Sequence, residues 1–567
     1  MVLGTGLARA TASSSFVRNR AAPARLGKLK RCDALLLSRL GTVGWFRGEC
    51  DGGAGMSVIL GGSKRRKDYV YELLVVGAVT LAILALLPNA PWGNGYSSTD
   101  SSVFRLIGKQ MADGLLPYRD TFDHKGPLIF VINWLGYLLD PKCGIWFFEF
   151  AAVSVSVWYA RKAIRLAGNG EHLQFATIAL VPLYLALYRY DFGNMTEEYA
   201  LPGIAYSLYV FMLYRKYGDV TTRQALLVGM GLGSVLLLRP NLAALWFAYG
   251  IWYAVSAIRR KQMARYAKLL ALVIVGAMAA MAPFIAWLAS AGLLSWCFDC
   301  YIRFNLAYSG SKAARVLVTV LKFGMLPNVL FPALAIASRA WRSKGEPAGQ
   351  WCPMMFALAV CFAAATFSGR AYHHYLIQLL PILSVGVSEI FARVDGLGIG
   401  SASKKVAGML IVVLLGGQSA VGAIMENGYR ETGEPTAAAY VETVDGFAHD
   451  ILEVARPGDR LAVMGNYDIL YFLTGMEPAS RYSYTAPIAV VDARISDEWL
   501  QEVGSSSPVV LVAGDVDSFS EDERNMLERL EAIGYERTDL GDAHGTVYIM
   551  ADHPQMAGHA YAGRDAA

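Results

Sequence analysis

The chain has 567 residues, of which 55% are hydrophobic and 17% are charged, and its formal net charge is +5. Soluble globular proteins carry about 25% charged residues, and here the apolar residues are gathered into long blocks, so the composition excludes an ordinary soluble protein. The basic residues stand in short stretches beside those blocks, where they determine topology and do not indicate a nucleic-acid surface. We therefore expect a polytopic α-helical membrane protein embedded in the lipid bilayer.

The amino-terminal 68 residues predict a basic, disordered cytoplasmic segment. Residues 1–56 are rich in Arg, Ala and Gly, and they lack the ordered regions of a secretory signal. Met56 precedes a basic stretch at 63–67 and then an apolar block. We therefore form the hypothesis that translation starts at Met56.

About eleven spans are predicted between residues 69 and 425. The basic stretch at 63–67 places the amino terminus in the cytoplasm, since Lys and Arg collect in inner loops. The predicted spans are Tyr69–Leu87, Ile145–Ala160, Phe175–Tyr188, Tyr199–Leu213, Ala225–Leu238, Leu242–Ile258, Leu269–Leu288, Val316–Ala337, Pro353–Phe367, His374–Phe391 and Val406–Ile424. This arrangement predicts a multi-pass plasma-membrane protein with a first outer loop at 88–144. That loop contains PLIFVINWLGYLL, which is too short to cross comfortably and predicts a helix at the interface.

Residues 432–552 predict a small soluble α/β domain on the extracytoplasmic side, and residues 553–567 predict a disordered tail. The strand-like runs are RLAVM, IAVVD and PVVLVA, and EDERNMLERLEAIGY has a helical pattern. No dinucleotide fingerprint or phosphate loop follows these runs. Asp515-Val516-Asp517 is a D-x-D, a pattern too common to assign a metal site. Cys297 and Cys300 form a C-x-x-C whose ordinary explanations are chance or a local disulfide.

The polar residues that could carry chemistry fall on the outer face, opposite the basic loops. Ionisable residues near membrane depth are costly and commonly functional. The candidates are Asp100, Asp120, Asp123, His124, Lys125, Asp191, Glu197, Glu198, Arg239, Arg303, Arg370, His373, His374 and Tyr375. The set combines carboxylates suited to base or metal chemistry with cations suited to phosphate.

Asp100 opens the segment SSVFRLIGKQMADG, which has Val103, Phe104, Ile107 and Met111 on one helical face. This pattern predicts an amphipathic helix lying along the membrane surface. Asp100 has two interpretations, a cap that accepts backbone N–H bonds and a general base that deprotonates an attacking hydroxyl. The two roles are compatible.

The densest motif is YRDTFDHKGP, residues 118–127, where two acids, an imidazole and an ammonium precede an apolar segment. An interfacial anchor is one interpretation, because Lys can snorkel and Pro can start the next helix. The density of mixed charge favours a site instead.

The stretch from Asp100 through PYRDTFDHKGPL resembles the first outer loop of C-type (GT-C) glycosyltransferases, specifically the bacterial relatives of protein O-mannosyltransferases and of the aminoarabinose transferase. The resemblance covers roughly residues 69–395. Gly126 replaces the first proline of the family motif, and Ser101 replaces a second acid after Asp100. The resemblance implies a sugar donor carried on a polyprenyl phosphate, with Asp100 at the position of the catalytic acid.

Other elements of the family are matched by location. Asp191 corresponds to the acidic residue of the second loop, with Glu197 and Glu198 as alternatives whose other role is charge at a helix start. The segment SGRAYHHYLIQLLP, residues 368–381, resembles the element near the lipid phosphate. Arg370 offers a planar fork for phosphate oxygens, although Tyr and Arg are also common in interfacial belts. Arg239 and Arg303 are weaker phosphate candidates.

The sequence thus predicts a membrane glycosyltransferase that moves a sugar from a polyprenyl-phosphate donor to a glycan, lipid or protein acceptor of the cell envelope on the extracytoplasmic face. Asp120, Asp123 or Asp191 would position the acceptor, and whether a divalent metal joins the carboxylates stays open. The alternative is a transporter or flippase of lipid-linked glycans. Transporters often contain internal repeats with polar sites at mid-membrane, and neither feature is apparent in this sequence.

Overall fold

The computed structural model describes residues 55–168, 172–188, 193–308, 313–342, 351–426, 437–513, 519–538, 540 and 545–551. Four predictions concern segments that lie wholly or partly outside these residues. They are the translation start at Met56 with the segment before it, the candidate Asp191, the D-x-D at 515–517 and the tail at 553–567. Helices dominate the described chain, and four short strands follow in its last quarter.

The longer helices are α1 Gly55–Leu84, α2 Thr99–Ala112, α3 Pro127–Leu139, α4 Gly144–Leu166, α5 Leu173–Tyr188, α6 Thr196–Tyr217, α7 Thr222–Leu236, α8 Ala244–Arg259, α9 Met263–Ser290, α10 Ala313–Gly324, α11 Pro327–Arg342, α12 Trp351–Thr366, α13 Leu380–Asp395, α14 Ser401–Glu426, α15 Ala437–Val454, α16 Arg494–Ser506 and α17 Glu521–Ala532. Short helical segments are Pro240–Ala243, Leu294–Cys297, Phe298–Arg303, Phe304–Tyr308, His373–Leu379, Leu470–Leu473 and Ala486–Ala489. The strands are β1 Leu461–Met464, β2 Val509–Val512, β3 Tyr535–Arg537 and β4 Thr546–Met550.

Three helical segments of the described chain are long and apolar enough to cross a membrane, namely Pro240–Arg259, Met263–Ser290 and His373–Asp395. The predicted span Val316–Ala337 is not one straight helix. It consists of α10 and α11, which meet at an angle of 81°, because Pro327 opens α11 and cannot continue the helix before it. Counted together, this pair is a fourth candidate, and the total of about eleven spans stays a prediction.

The four strands form one mixed sheet in the order β1-β2-β4-β3. β1 runs parallel to β2, while β4 is antiparallel to both of its neighbours. The prediction of a strand at IAVVD, residues 488–492, is wrong. The first two residues of this run belong to the helical turn Ala486–Ala489, which has Pro487 near its start. Proline suits the first turn of a helix, where its missing N–H has no partner to lose. The limits of a separate domain and its side of the membrane stay predictions.

The amphipathic helix α2 lies between the apolar helices and the sheet. Gly108 packs so closely on α3 that an added Cβ would lie 2.6 Å from the carbonyl carbon of Asn133. On the other side, Leu106 belongs to the hydrophobic cluster that α15 forms with the sheet. Lys109 adds an ion pair of 2.5 Å to Glu477. The helix that begins beside Asp100 is therefore held from both sides.

Helices α7 and α9 approach each other through glycines. A Cβ added at Gly229 would lie 2.0 Å from the carbonyl oxygen of Val273, and one added at Gly276 would lie 2.1 Å from that of Leu226. Small residues allow this backbone contact between membrane helices, so any side chain here forces the helices apart.

We expect Gly229→Ala to lower the stability of the folded protein by about 1–3 kcal/mol, as overpacking does in other closely packed interiors. The measurement is thermal unfolding of purified protein in detergent. Gly250→Ala is the matched control, because Gly250 lies within α8 and a Cβ there would have no atom within 4 Å. Equal melting temperatures for the two variants would contradict the close contact.

Candidate active site at the first outer loop

The site is built around residues 117–126, a loop that folds back on itself. The hydroxyl of Tyr118 donates to the carbonyl of Lys125 at 2.9 Å, and the ring is fully buried against Phe130. Tyr118 has a φ of 70°. A bulky residue in this conformation is strained by about 1–3 kcal/mol, and such strain persists only where the surroundings enforce it. The loop is therefore a fixed frame for the side chains that follow.

Gly126 ends this loop in direct contact with another part of the backbone. Its N–H donates to the carbonyl of Leu238 at 3.0 Å, and an added Cβ would lie 2.1 Å from the carbonyl oxygen of Leu237. A proline, which the family motif carries here, lacks the N–H and has a Cβ. The departure from that motif thus has a structural reason, and the contact brings Lys125 and Arg239 to the same place.

Lys125 is almost completely buried between two carboxylates. Its Nζ lies 3.6 Å from Oδ2 of Asp100, and its backbone N–H donates to Oδ1 of Asp123 at 2.7 Å. Burial alone would lower the pKa of Lys125, but the charges of Asp123 and Asp100 outweigh it and raise that pKa above its usual value. Lys125 is therefore a permanent cation of the site.

Asp100 lies one residue inside α2, whose N-cap is Ser98, so it does not occupy the capping position. Its side chain is 37% exposed. Burial raises the pKa of Asp100, but the positive charges of Lys125, His374 and Arg239 more than compensate and bring it below the usual value. The result is an ionised carboxylate that solvent can reach.

A second group of residues faces Asp100 from later in the chain. Arg239 donates to Oε1 of Glu197 at 3.1 Å and to the hydroxyl of Tyr375 at 2.8 Å. Arg370 lies 4.0 Å above the ring of Tyr308 and is half-buried. These contacts hold the two guanidinium groups in defined positions near the carboxylate.

His124 experiences the accumulated positive charge directly. Burial lowers its pKa well below the usual value, and the charges of Lys125, Arg239 and Arg370 lower it further. The imidazole is therefore neutral at physiological pH, and its ring packs against Phe304 and Tyr308. It lines the site without adding charge.

Residues near the carboxyl terminus complete the loop's surroundings. Phe122 donates its N–H to the carbonyl of Arg481 at 2.8 Å, and Arg481 donates to the carbonyl of Tyr118 at 3.1 Å. Tyr484 donates to Oδ2 of Asp123 at 2.9 Å. The sequence analysis assigned no residue of this segment to the site, and no motif in it points to such a role.

The buried amide of Asn194 connects the beginning of α2 to three other helices. Its Nδ2 donates to Oγ of Ser101 at 3.0 Å and to Oδ1 of Asn133 at 2.9 Å, while its backbone N–H faces carboxylate oxygens of Glu149 and Glu198 at 2.5 and 3.0 Å. Since Ser101 follows Asp100, this hub positions the candidate base. Sequence reasoning missed Glu149, although an acid inside a predicted span is a signal of function.

The other predicted site residues lie apart from this cluster. Asp120 pairs with Arg119 and accepts the N–H of Leu116, which is a role within the loop. Glu198 belongs to the Asn194 hub. His373 packs on Phe323, and Arg303 is exposed beside Asp299.

The described residues bear on two further features of the sequence. Cys297 and Cys300 are free thiols, so the local disulfide is not formed. The described residues include no group of three or more His, Cys, Asp or Glu side chains arranged to hold a metal ion.

The comparisons with known proteins agree with this architecture. A family model described as "Putative competence-induced protein Ccs4 N-terminal domain" matches residues 70–405. No curated protein matches the chain significantly in sequence. The crystal structure of ArnT from Cupriavidus metallidurans bound to undecaprenyl phosphate aligns with a TM-score of 0.55 at 14% identity, over 84% of this chain and 97% of that one. The apo ArnT structure aligns with a TM-score of 0.53 at 14% identity, over 86% of this chain and 98% of that one. The GT-C resemblance is thereby confirmed at the level of the fold.

Asp468 gives the site a pH-dependent stability. It is fully buried near Asp123 and Asp100, and burial raises its pKa to about 7. The unfolded carboxyl has a pKa of about 3.9, so between about pH 4 and pH 7 the unfolded chain loses a proton that the folded chain keeps. This group therefore makes the fold less stable as pH rises through that window.

We expect Asp468→Asn to remove this loss of folding stability at higher pH. Melting temperatures of the parent and the variant, measured at pH 5 and pH 8, should diverge in favour of the variant at the higher pH. The same pH dependence in both proteins would contradict a buried, protonated Asp468.

Proposed function

The chain belongs to the family described as "Putative competence-induced protein Ccs4 N-terminal domain", and we propose that this member transfers a sugar from a polyprenyl-phosphate donor to an acceptor of the cell envelope on the extracytoplasmic face. The observation that carries the proposal is the ionised, solvent-accessible carboxylate of Asp100 beside the cations Lys125 and Arg239, with the charge of Arg370 acting on the adjoining His124. A carboxylate can take a proton from an acceptor hydroxyl, and the cations can stabilise a departing phosphate.

The reaction would begin with the acceptor hydroxyl at Asp100. Asp100 accepts the hydroxyl proton as the oxygen forms a bond to the anomeric carbon of the donor sugar. The bond between that carbon and the phosphate oxygen breaks, and its electron pair leaves with the polyprenyl phosphate. Direct displacement inverts the anomeric centre.

The cations would make the main electrostatic contribution to catalysis. Negative charge on the bridging oxygen grows in the transition state, and fixed cations stabilise it without having to reorganise. Lys125 is held by its two carboxylate neighbours, and Arg239 by Glu197 and Tyr375. Among the described residues, the guanidinium of Arg370 makes a weak 3.5 Å contact to the hydroxyl of Tyr372 and a ring contact with Tyr308, so it keeps donors for phosphate oxygens.

The fold supports the choice of donor. ArnT, which shares the fold, has been crystallised with undecaprenyl phosphate. Asp123 and Glu197 would orient the reacting groups, since Asp123 lies beside Lys125 and Glu197 fixes Arg239.

We expect Asp100→Asn to reduce sugar transfer by about 10²–10⁴-fold, because the amide cannot take up the proton. The assay uses membranes and a panel of radiolabelled polyprenyl-phosphate sugars. Asp113→Asn is the matched control, since Asp113 ends the same helix in an exposed pair with Lys109. A parent that transfers nothing but moves a lipid-linked glycan across vesicles would support a flippase instead.

We expect Arg370→Gln to weaken the binding of undecaprenyl phosphate about tenfold or more, which corresponds to the loss of a charge-assisted hydrogen bond. Binding is measured by tryptophan fluorescence of the detergent-purified protein. Arg303→Gln is the control, because Arg303 is an exposed arginine of the predicted outer loops. It pairs with Asp299 and lies apart from Lys125, Arg239 and Arg370. Equal losses for the two variants would remove Arg370 from the phosphate site.

A further inference from the structure

A polar cavity of about 330 Å³ lies beside the candidate active site. Its walls come from the helical segment at 294–308, from Phe122 of the first outer loop, and from the carboxyl-terminal segments around Arg481 and α16. Cavities that bind small ligands commonly have volumes of about 300–1,000 Å³, so the space suits one or two sugar rings.

One wall of the cavity is aromatic. Trp296 is 38% exposed, and the guanidinium of Arg481 lies 5.0 Å from the centre of its ring and 4.9 Å from that of Tyr482. Phe122 packs on Tyr482 at 5.1 Å. Flat aromatic rings with hydrogen-bonding groups at their edges suit a ligand that is apolar on one face and polar at its rim. A sugar ring is such a ligand.

The charges that line the cavity balance one another. Arg494 is paired with Asp492 at 2.6 Å, and Arg303 lies 3.7 Å from Asp299. Arg481 is the third cation and Glu498, which accepts a hydrogen bond of 2.5 Å from Tyr482, is the third anion. In the cluster around Lys125, by contrast, Arg370 lies against the ring of Tyr308 and forms no ion pair with a described carboxylate. The two neighbouring regions therefore favour different ligands, an anion in the cluster and an uncharged polar group in the cavity.

The cavity and the cluster around Lys125 share a wall in which residues close together in the chain face opposite sides. Phe122 lines the cavity, whereas the next residue, Asp123, is buried beside Lys125. Tyr482 lines the cavity, whereas Tyr484 donates to Asp123. A ligand in the cavity therefore lies against a wall whose other side carries Asp123.

We propose that this cavity binds an uncharged sugar unit of the acceptor next to the carboxylates of the candidate active site. The inference rests on the proposed transferase function and adds the chemical class of the acceptor, a neutral glycan. The guanidinium and carboxylate groups of the cavity donate to and accept from sugar hydroxyls, and Trp296 packs on the apolar face of the ring.

The test measures binding of soluble trisaccharides to the detergent-purified full-length protein by calorimetry. The probes are mannotriose, arabinotriose and maltotriose as neutral glycans and trigalacturonate as an anionic one. We expect at least one neutral trisaccharide to bind and trigalacturonate not to bind. Trp296→Ala should weaken binding at least tenfold, and Arg494→Ala serves as a second, exposed variant in case the first does not fold. Phe298→Ala is the matched control, since Phe298 is exposed on the same helical segment and does not line the cavity.

The outcomes separate this inference from the proposed function. Binding that Trp296→Ala or Arg494→Ala weakens and Phe298→Ala leaves unchanged supports the acceptor cavity, even in a protein that transfers no sugar. A protein that transfers sugar but binds no neutral trisaccharide overturns the inference and leaves the transferase standing. The inference is also overturned if trigalacturonate binds preferentially. The same holds if Trp296→Ala, Arg494→Ala and Phe298→Ala all bind the neutral trisaccharide equally well.

Discussion

The burial of Lys125 between Asp100 and Asp123 is the constraint on which the site depends. An unpaired ammonium in the interior would be strongly destabilising, and the two carboxylates make its burial tolerable. In return, the ammonium keeps Asp100 ionised next to an apolar interior. The strained loop, the close contact at Gly126 and the hydrogen bond from Tyr484 all serve to hold these three groups in register.

The same constraint explains why so many distant segments meet here. Asp100 belongs to α2, Lys125 to the following loop, Arg239 to the turn between α7 and α8, and Arg370 to the segment after α12. The Asn194 hub secures the start of α2 to α3, α4 and α6, and the segment at 481–484 secures the loop. Each contact is modest by itself, but together they leave the charged groups little freedom to rearrange.

Much of this arrangement could be predicted from the sequence, for definite reasons. The apolar blocks and the amphipathic pattern after Asp100 predict helices near their observed limits, since hydrophobic periodicity is a local property. The mixed charge at 118–127 marks the loop that carries the site. Charge alone cannot separate Lys125 from Asp120, because one faces the interior and the other pairs with its neighbour Arg119.

The features that the sequence did not predict depend on contacts between segments far apart in the chain. Tyr484 and Asp468 lie more than 340 residues after Asp123, and no local pattern distinguishes them from other residues of the carboxyl-terminal region. The break at Pro327 was readable in principle, whereas the 81° angle between α10 and α11 depends on packing. The helical turn at Ala486–Ala489 shows a proline overriding an apolar run that otherwise favours a strand.

The contact between Gly126 and Leu237 and Leu238 has a consequence for how such a protein can diversify. Lys125 and Arg239 each adjoin this backbone contact, so main-chain geometry sets the spacing between the two positions from which the cations project. The neighbouring cavity is instead lined by side chains, among them those of Trp296, Arg481 and Arg494. Substitutions in the cavity can therefore change which acceptor it binds, while the spacing that the backbone contact sets stays constant. A lineage of such proteins could exchange one acceptor for another without rebuilding the part of the molecule that handles charge.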